Sequence, residues 1–474
     1  MEQQRRKQPN NSAQVMYFIL ICLFLFITVS LIIKGCDRSN NDTAGNSAPL
    51  APTDPIVITD PTHPDGTGEP YIVEKASIGV TGDIMGHGPV LKSVLTDSGE
   101  YDFTKSFRYI APYFSSYDFM VANLEVTLGG PEAGDYKGYP TFNNPDSLID
   151  GLLYAGIDMV TTATNHSYDT GHDGFIRTQE VLKQKGMLYT GTRLSETDAN
   201  YIVNEINGIK IGMINYTYEV EGSKGTQKIL NGIKMDEADG VLINSFNYSK
   251  MDAFYSEVET AISNMRSEGA EIIMFFIHWG NEYETNPSNT QKKIAQNLSN
   301  KGVDIIVGGH PHVIQPMNVL TAEDGRKTLC IYSVGNSISN QRRYEINQSP
   351  SGHTEDGIIF NVDIARWSDG TVGISDVNVT PLWVSLDNIE GKNTYTIIPV
   401  DVTYKSLPAI SVFADTINSF IDPDRAPTSY VPFVPTDPTN ITSSFNRTSQ
   451  GVLGTLNDCR QALGLNPTMN TAGQ

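Results

Sequence analysis

From Val15 to Ile33 the chain reads VMYFILICLFLFITVSLII without a single charge. Residues 16–33 are long enough to cross a bilayer as one helix. The basic cluster Arg5-Arg6-Lys7 precedes it, so residues 1–15 are expected in the cytoplasm and the rest of the chain outside. The run is longer than the roughly 7–15-residue apolar core of a signal peptide, and no A-x-A site follows it. A single-pass, uncleaved anchor in the cell membrane is therefore expected, with an extracytoplasmic C-terminal domain. Cys36 raises a lipoprotein alternative, which Lys34 beside it fits poorly.

Residues 34–72 lose all apolar periodicity and become rich in Asn, Asp, Thr, Pro and Gly from 37 onward. That composition is a spacer. Pro-Thr-Asp-Pro occurs at 52–55 and again at 435–438, as linker chemistry and not as a structural repeat.

From Ala76 the pattern turns regular. Ile78 and Val80 alternate into Gly82-Asp83, and the apolar run 119–122 leads to Asn123-Leu124-Glu125. Residues 145–155 read as a helix with Leu148, Leu152 and Leu153 on one face, stopped by Gly156. A strand at 157–160 leads to Asn165-His166. A helix at 173–185 follows, then a hairpin of 201–206 and 209–216 about Asn207-Gly208. Helices at 251–267 and 291–300 alternate with strands at 271–277 and 303–307, the strands ending at His278 and Gly308-Gly309-His310. Strands at 329–334, 357–364 and 372–380 close a domain set at 73–385. The extension 386–474 reads as a helix at 408–420, an extended Pro/Thr/Ser-rich stretch at 422–449 and a terminal helix at 450–463. Strand, polar tip, helix, strand is the grammar of an α/β domain, in which ligands gather beyond the carboxyl ends of strands.

Composition narrows the partners. The formal net charge is −21. Residues 1–38 carry five basic and two acidic side chains, +3, which leaves −24 for the remainder. Such an exterior repels polyanions, so nucleic acid is excluded as a partner. The four cysteines form no close pairs, and a Cys330–Cys459 bridge has no support from spacing.

The chemistry collects at the strand tips. Asp83 and Glu125 offer carboxylates, Asn165 an amide oxygen, and His278, His310 and His312 imidazole nitrogens. Such a set suits a pair of divalent transition-metal ions. Each residue alone has a plainer reading: Asp83 as a turn cap, Asn165-His166 as a turn, His278 beside Trp279 as a buried histidine. Their joint position at strand tips is what points to one site.

The chain resembles the capsule-synthesis protein CapA family, the poly-γ-glutamate biosynthesis proteins, within the calcineurin-like metallophosphoesterase superfamily. The likeness is carried by Thr81-Gly82-Asp83-Ile84-Met85, Ala122-Asn123-Leu124-Glu125, 137–142, the run from Ala155 to Gly171, His278 to Tyr283, Gly309-His310-Pro311-His312 and Tyr332 to Asn336. It implies a four-layer α/β/β/α sandwich (metallophosphoesterase-like) behind the transmembrane helix, with two divalent ions of Mn, Fe or Zn. By position, Asp83 would bind one ion and Glu125, or less favourably Asn123, would bridge both. Asn165, His278 and His310 would hold the second ion, with His312 returning to the first. His166 would protonate the leaving group as a general acid, oriented by Asp169. Met85 stands where the wider superfamily has a histidine, and His87 would compensate if 83, 85 and 87 share an extended face. The implied function is capsule or poly-γ-glutamate biosynthesis or export beside membrane synthase components. An extracytoplasmic metal-dependent phosphoesterase acting on a small phosphoester is the alternative.

Overall fold

The computed structural model describes residues 70–222, 227–346, 352–389, 391–400 and 438–466. The expected anchor, the spacer up to residue 69 and the helix at 408–420 lie outside the described residues, and Ile72, the last spacer residue, is already in a strand. Among those described, no helix is long and apolar enough to cross a membrane.

Two large mixed sheets carry the fold. The first runs from edge to edge through Lys392–Pro399, Val372–Ile389, Asp356–Trp367, Ile72–Ile84, Phe119–Leu124, Met159–Thr161 and Leu188–Thr190, with Asn336–Ile338 beside the tip of Ile72–Ile84. The second runs Ser245–Phe246, Ile209–Tyr218, Ile272–His278, Ile305–Gly309, Lys327–Val334 and Ile314–Thr321, with Ile202–Ile206 paired to Ile209–Tyr218. The strands that carry the polar tips pair in parallel: Asp83 aligns with Asn123, Asn123 with Thr161, and His278 with Gly309. Parallel pairing puts their carboxyl ends at one end of each sheet.

The sheets are stacked face to face. Ile78, Val80 and Phe360 of the first meet Ile211, Met274 and Ile331 of the second in one core. Helices cover the outer faces. Ser147–Ala155 and Gly171–Lys185 pack on the first sheet through Leu148, Leu152, Val181 and Leu182. Met251–Ser267 and Asn289–Asn300 pack on the second through Val258, Met265, Ile294 and Leu298. Each fully buried aliphatic side chain of this kind contributes roughly 1.5–3 kcal/mol.

Local chemistry sets the ends of these helices. Ser288 and Gln291 form a reciprocal cap, which starts the helix at Asn289, two residues before the expected Gln291. Gly156 and Gly186 end their helices in left-handed conformation. Leu153 departs from the expected apolar face: it is exposed, and Ile149 takes its place in the core. The hairpin about Asn207-Gly208 forms as expected, with Ile206 opposite Ile209.

The C-terminal residues belong to this core. The strand Val372–Ile389 runs through the expected boundary at 385, and its last part, from Leu382 to Ile389, pairs with Lys392–Pro399. Of the stretch expected to be extended, Pro438–Thr448 is instead helical. Its Ser/Thr/Asn-rich composition hid a face that is held by tertiary contacts: Phe445 is buried, and Ser444 and Arg447 bond the buried Asp356. A π turn at Ser449–Leu453 leads into Gly454–Ala462, whose Leu456 and Cys459 join Val452 and Leu463 between the sheets. Cys330 and Cys459 are both free and buried.

Candidate metal centre

Close backbone packing brings the tips together. A Cβ at Gly82 would lie 1.9 Å from the Gly335 carbonyl oxygen, so only glycine lets Ile72–Ile84 press against Gly335-Asn336. A Cβ at Gly308 would lie 2.0 Å from the Tyr332 carbonyl oxygen, which fixes the approach to His310 in the same way. His310 and His312 have φ of +93° and +57°. Non-glycine residues there store roughly 1–3 kcal/mol each, strain that clusters at functional sites. Tyr283 N donates to the Pro311 carbonyl at 2.8 Å and pins this turn.

Asp83, Glu125, Asn165, His278, His310 and His312 all converge, and all are buried. Their donor atoms form two overlapping groups. Glu125, His278 and His310 make one and Asp83, Glu125 and His312 the other, with atoms in each group within 4.8 Å of one another. Glu125 belongs to both.

The lone pairs in these groups exceed the protons available to satisfy them. His278 Nε2 lies 2.8 Å from Asn165 Oδ1, 3.1 Å from His310 Nδ1 and 3.2 Å from Glu125 Oε1. A ring nitrogen holds at most one proton, so it cannot bridge all three. Among the described residues, neither Glu125 oxygen has a hydrogen-bond partner, although both are buried. An orphaned buried carboxylate is costly, and a cation is the species that lone pairs converging in this way would satisfy. The donor set of imidazole nitrogen, carboxylate and amide oxygen fits Mn, Fe or Zn.

The electrostatics divide the histidines. Burial raises the Asp83 carboxyl, but the hydrogen bond and charge of His312 outweigh it and hold Asp83 below the usual carboxylate range. Burial opposes charge on His312, yet the Glu125 and Asp83 carboxylates prevail and push it up to about 9. Burial, with His278 and His312 adding repulsion, holds His310 well below the ordinary imidazole value. His310 thus keeps a lone pair ready for a ligand bond.

Polar neighbours orient the donors. Asn123 Nδ2 donates to Asp83 Oδ1 at 2.7 Å, and Thr161 Oγ1 donates to Asn123 Oδ1 at 2.8 Å. Asn123 therefore supports Asp83 through its amide N–H, while its amide oxygen is taken up by Thr161. Asn336 Oδ1 stands 3.2 Å from His312 Nδ1.

His166 and Asp169 lie at the edge of this cluster. His166 Nδ1 donates to Asp169 Oδ2 at 2.7 Å, and Phe142 N donates to the same oxygen at 2.7 Å. His166 is near enough to add to the repulsion felt by His310.

The expected shared face of 83, 85 and 87 does not form. The sheet register shifts between Asp83 and Ile84, and Met85 packs into the helix-covered apolar core. His87 Nδ1 accepts from Asn340 N at 3.3 Å, and its ring stands edge-on to Phe142. Burial drives His87 down to about 3. It lies in neither donor group.

Tyr218 and Asn231 are residues the sequence reading missed. Tyr218 lies edge-on to His310 with ring centroids 5.0 Å apart. Asn231 sits in an Asn-Gly pair that signals a hairpin turn, yet nothing in that signal says what its amide touches.

Residues 77–341 match the family model described as bacterial capsule synthesis protein PGA_cap. The chain belongs to this family of capsule synthesis proteins, the CapA family. It is 25% identical over 273 residues to the capsule biosynthesis protein CapA of Bacillus anthracis, covering 56% of this chain and 61% of that protein's length. It is 25% identical over 329 residues to the PGA biosynthesis protein CapA of Bacillus subtilis (strain 168), covering 68% of this chain and 77% of that one. A crystal structure of TT1561 of Thermus thermophilus aligns at 11% identity over 60% of this chain and 93% of that chain. The TM-score of that alignment is 0.31.

Proposed function

We propose that this is a membrane-anchored, extracytoplasmic component of capsule or poly-γ-glutamate assembly, carrying a two-metal hydrolytic centre on a metallophosphoesterase-like sandwich. It would work beside the membrane synthase or export components of that polymer. The observation that carries the reading is Glu125, whose orphaned carboxylate is shared by two groups of buried donors. Asp83 and His312 would hold one divalent ion, and Asn165, His278 and His310 the other, with Glu125 between them.

Bound there, the ions supply Lewis-acid charge to an attacking water and to the oxygen that gathers charge on a phosphoryl or acyl group. The protein's own part is positional. Asn123 and Asn336 fix the orientation of Asp83 and His312. His166, held through Nδ1 by Asp169, presents its other nitrogen as the proton donor to a leaving group.

A second reading is an extracytoplasmic phosphoesterase of small phosphoesters. The buried His166–Asp169 pair beside the donor groups favours it, because a protein that only binds polymer has no use for a poised acid.

The test uses the full-length chain in detergent with Mn²⁺. Two ions per chain and turnover of a generic phosphoester support a working centre. Two ions without turnover leave a structural or accessory role in polymer assembly. A chain that takes up no stoichiometric metal has no such centre.

A further inference from the structure

We infer that Asn231 is the positioning residue for the His166 acid, delivered to it by a separate hairpin; this rests on the hydrolytic reading above. Strands Lys228–Leu230 and Ile233–Lys234 are joined through Asn231-Gly232, both with positive φ, +47° and +74°. An Asn-Gly pair is the ordinary choice for such a turn, so the backbone alone explains the residue types. It does not explain the side chain. Asn231 Nδ2 lies 2.8 Å from the Pro140 carbonyl, 2.8 Å from Asp169 Oδ1 and 3.2 Å from His166 Nδ1.

Proton counting assigns these contacts. The amide has two N–H groups, and the two shorter contacts go to oxygens that can only accept. His166 Nδ1 must then carry its own proton, given to Asp169 Oδ2 at 2.7 Å. Without that proton two acceptors would face each other at hydrogen-bond distance. The Asp169 carboxylate is thus filled from three sides: Phe142 N and His166 on Oδ2, Asn231 on Oδ1. Among the described residues, Asn231 is the hydrogen-bond partner of Oδ1. It stops the carboxylate from rotating about a torsion that is otherwise broad, and so fixes the tautomer and the direction of the His166 ring.

The hairpin is itself anchored. Leu230 and Met235 are buried with Ala163, Tyr168 and Phe175, against the loop and helix that flank His166. Tyr168 Oη donates to Asp239 Oδ2 at 2.6 Å, and His172 Nδ1 donates to Asp239 at 2.9 Å. The segment that follows the hairpin is therefore bonded both to Tyr168 of this loop and to His172 in the first turn of the next helix, and Asn231 arrives at a defined place.

The test is Asn231→Gly in the full-length protein, which keeps the left-handed turn and removes only the amide. Asn231→Asp, of the same shape, replaces a donor with a second carboxylate. Nitrogen NMR of histidine-labelled, metal-free protein reads the His166 ring, assigned with His166→Ala. Wild type shows one Nδ1–H tautomer; Asn231→Gly shows a mixture of both. With metal, Asn231→Gly loses about 10–100-fold in kcat on an alkyl phosphoester. On a p-nitrophenyl ester, whose leaving group needs no proton, it retains nearly all of it, and KM is unchanged on both. An unchanged tautomer in Asn231→Gly, or equal losses on the two esters, overturns the assignment. Absent turnover in wild type counts against the hydrolytic reading alone, and the NMR result still decides whether Asn231 holds the ring.

Discussion

His312 Nδ1 lies 3.0 Å from Asp83 Oδ2, although 229 positions separate them in the chain. One terminates the strand Ile72–Ile84 of the first sheet and the other follows Ile305–Gly309 of the second. Their contact joins the two layers at the carboxyl ends of their strands, with Glu125 Oε2 4.0 Å from the same nitrogen.

Because Glu125 belongs to both donor groups, its loss is expected to be unlike that of any other donor. On the proposed two-ion centre, Glu125→Ala should bring metal content from two ions per chain to none at micromolar free Mn²⁺. His312→Ala and His310→Ala should each retain one. Elemental analysis after dialysis checks this, and an equal loss in all three variants would contradict the bridging role.

Metal uptake should be pH-dependent through His312. In the metal-free protein this imidazole is pushed up to about 9, so at pH 7 it carries a proton that a cation must displace. Apparent affinity should rise with pH by up to about tenfold per unit and level off near pH 9. The same titration should release protons into weakly buffered solution, and release should shrink above pH 9. Calorimetry in buffers of different ionisation enthalpy measures it.

His166→Ala should separate chemistry from metal binding. His166 lies in neither donor group, so metal content should hold while kcat on an alkyl phosphoester falls about 10²–10⁴-fold. Parallel loss of metal would mean that the ring is a ligand and not the acid.

Arg447 bonds the buried Asp356 through Nε at 2.5 Å and Nη2 at 2.7 Å. Arg447→Met leaves that carboxylate without its countercharge, at a cost of about 3–5 kcal/mol. Burial already pushes Asp356 up to about 6 against Arg447's pull. A folded value above the unfolded one means the folded state binds the proton more tightly. Stability from this group is therefore present at low pH and lost as pH rises through about 6. The variant should accordingly be less impaired at pH 5 than at pH 8, as denaturant melts at both will show.

The sequence made the strand tips legible because polarity breaks sharply there: Asp83 follows Gly82, and His278 ends seven buried residues. Asn165 and the 310–312 turn were readable for the same reason. What lay between neighbours was not. The register shift at Asp83 turns Met85 into the helix-side core, and a strand's simple alternation gives no warning of it. Asn123 looked like a second-choice ligand because sequence shows its type and not which way its amide points. Asn231 was invisible as a site residue, since it reaches Asp169 across 62 positions from a turn that any hairpin could use. The helix at Pro438–Thr448 was obscured by its composition, because contacts with Asp356 and the sheet, and not its own periodicity, hold it in place.

The strand Ile72–Ile84 joins the first sheet at Ile72, opposite Trp367, and delivers Asp83 at its other end. At roughly 3.3 Å per residue these points are about 36 Å apart. Tyr71, next to the first residue of this strand, thus lies at the end remote from the donor groups around Asp83. A label attached at the exposed Tyr71 is therefore expected to report on the domain without disturbing the donor groups, a whole strand's length away.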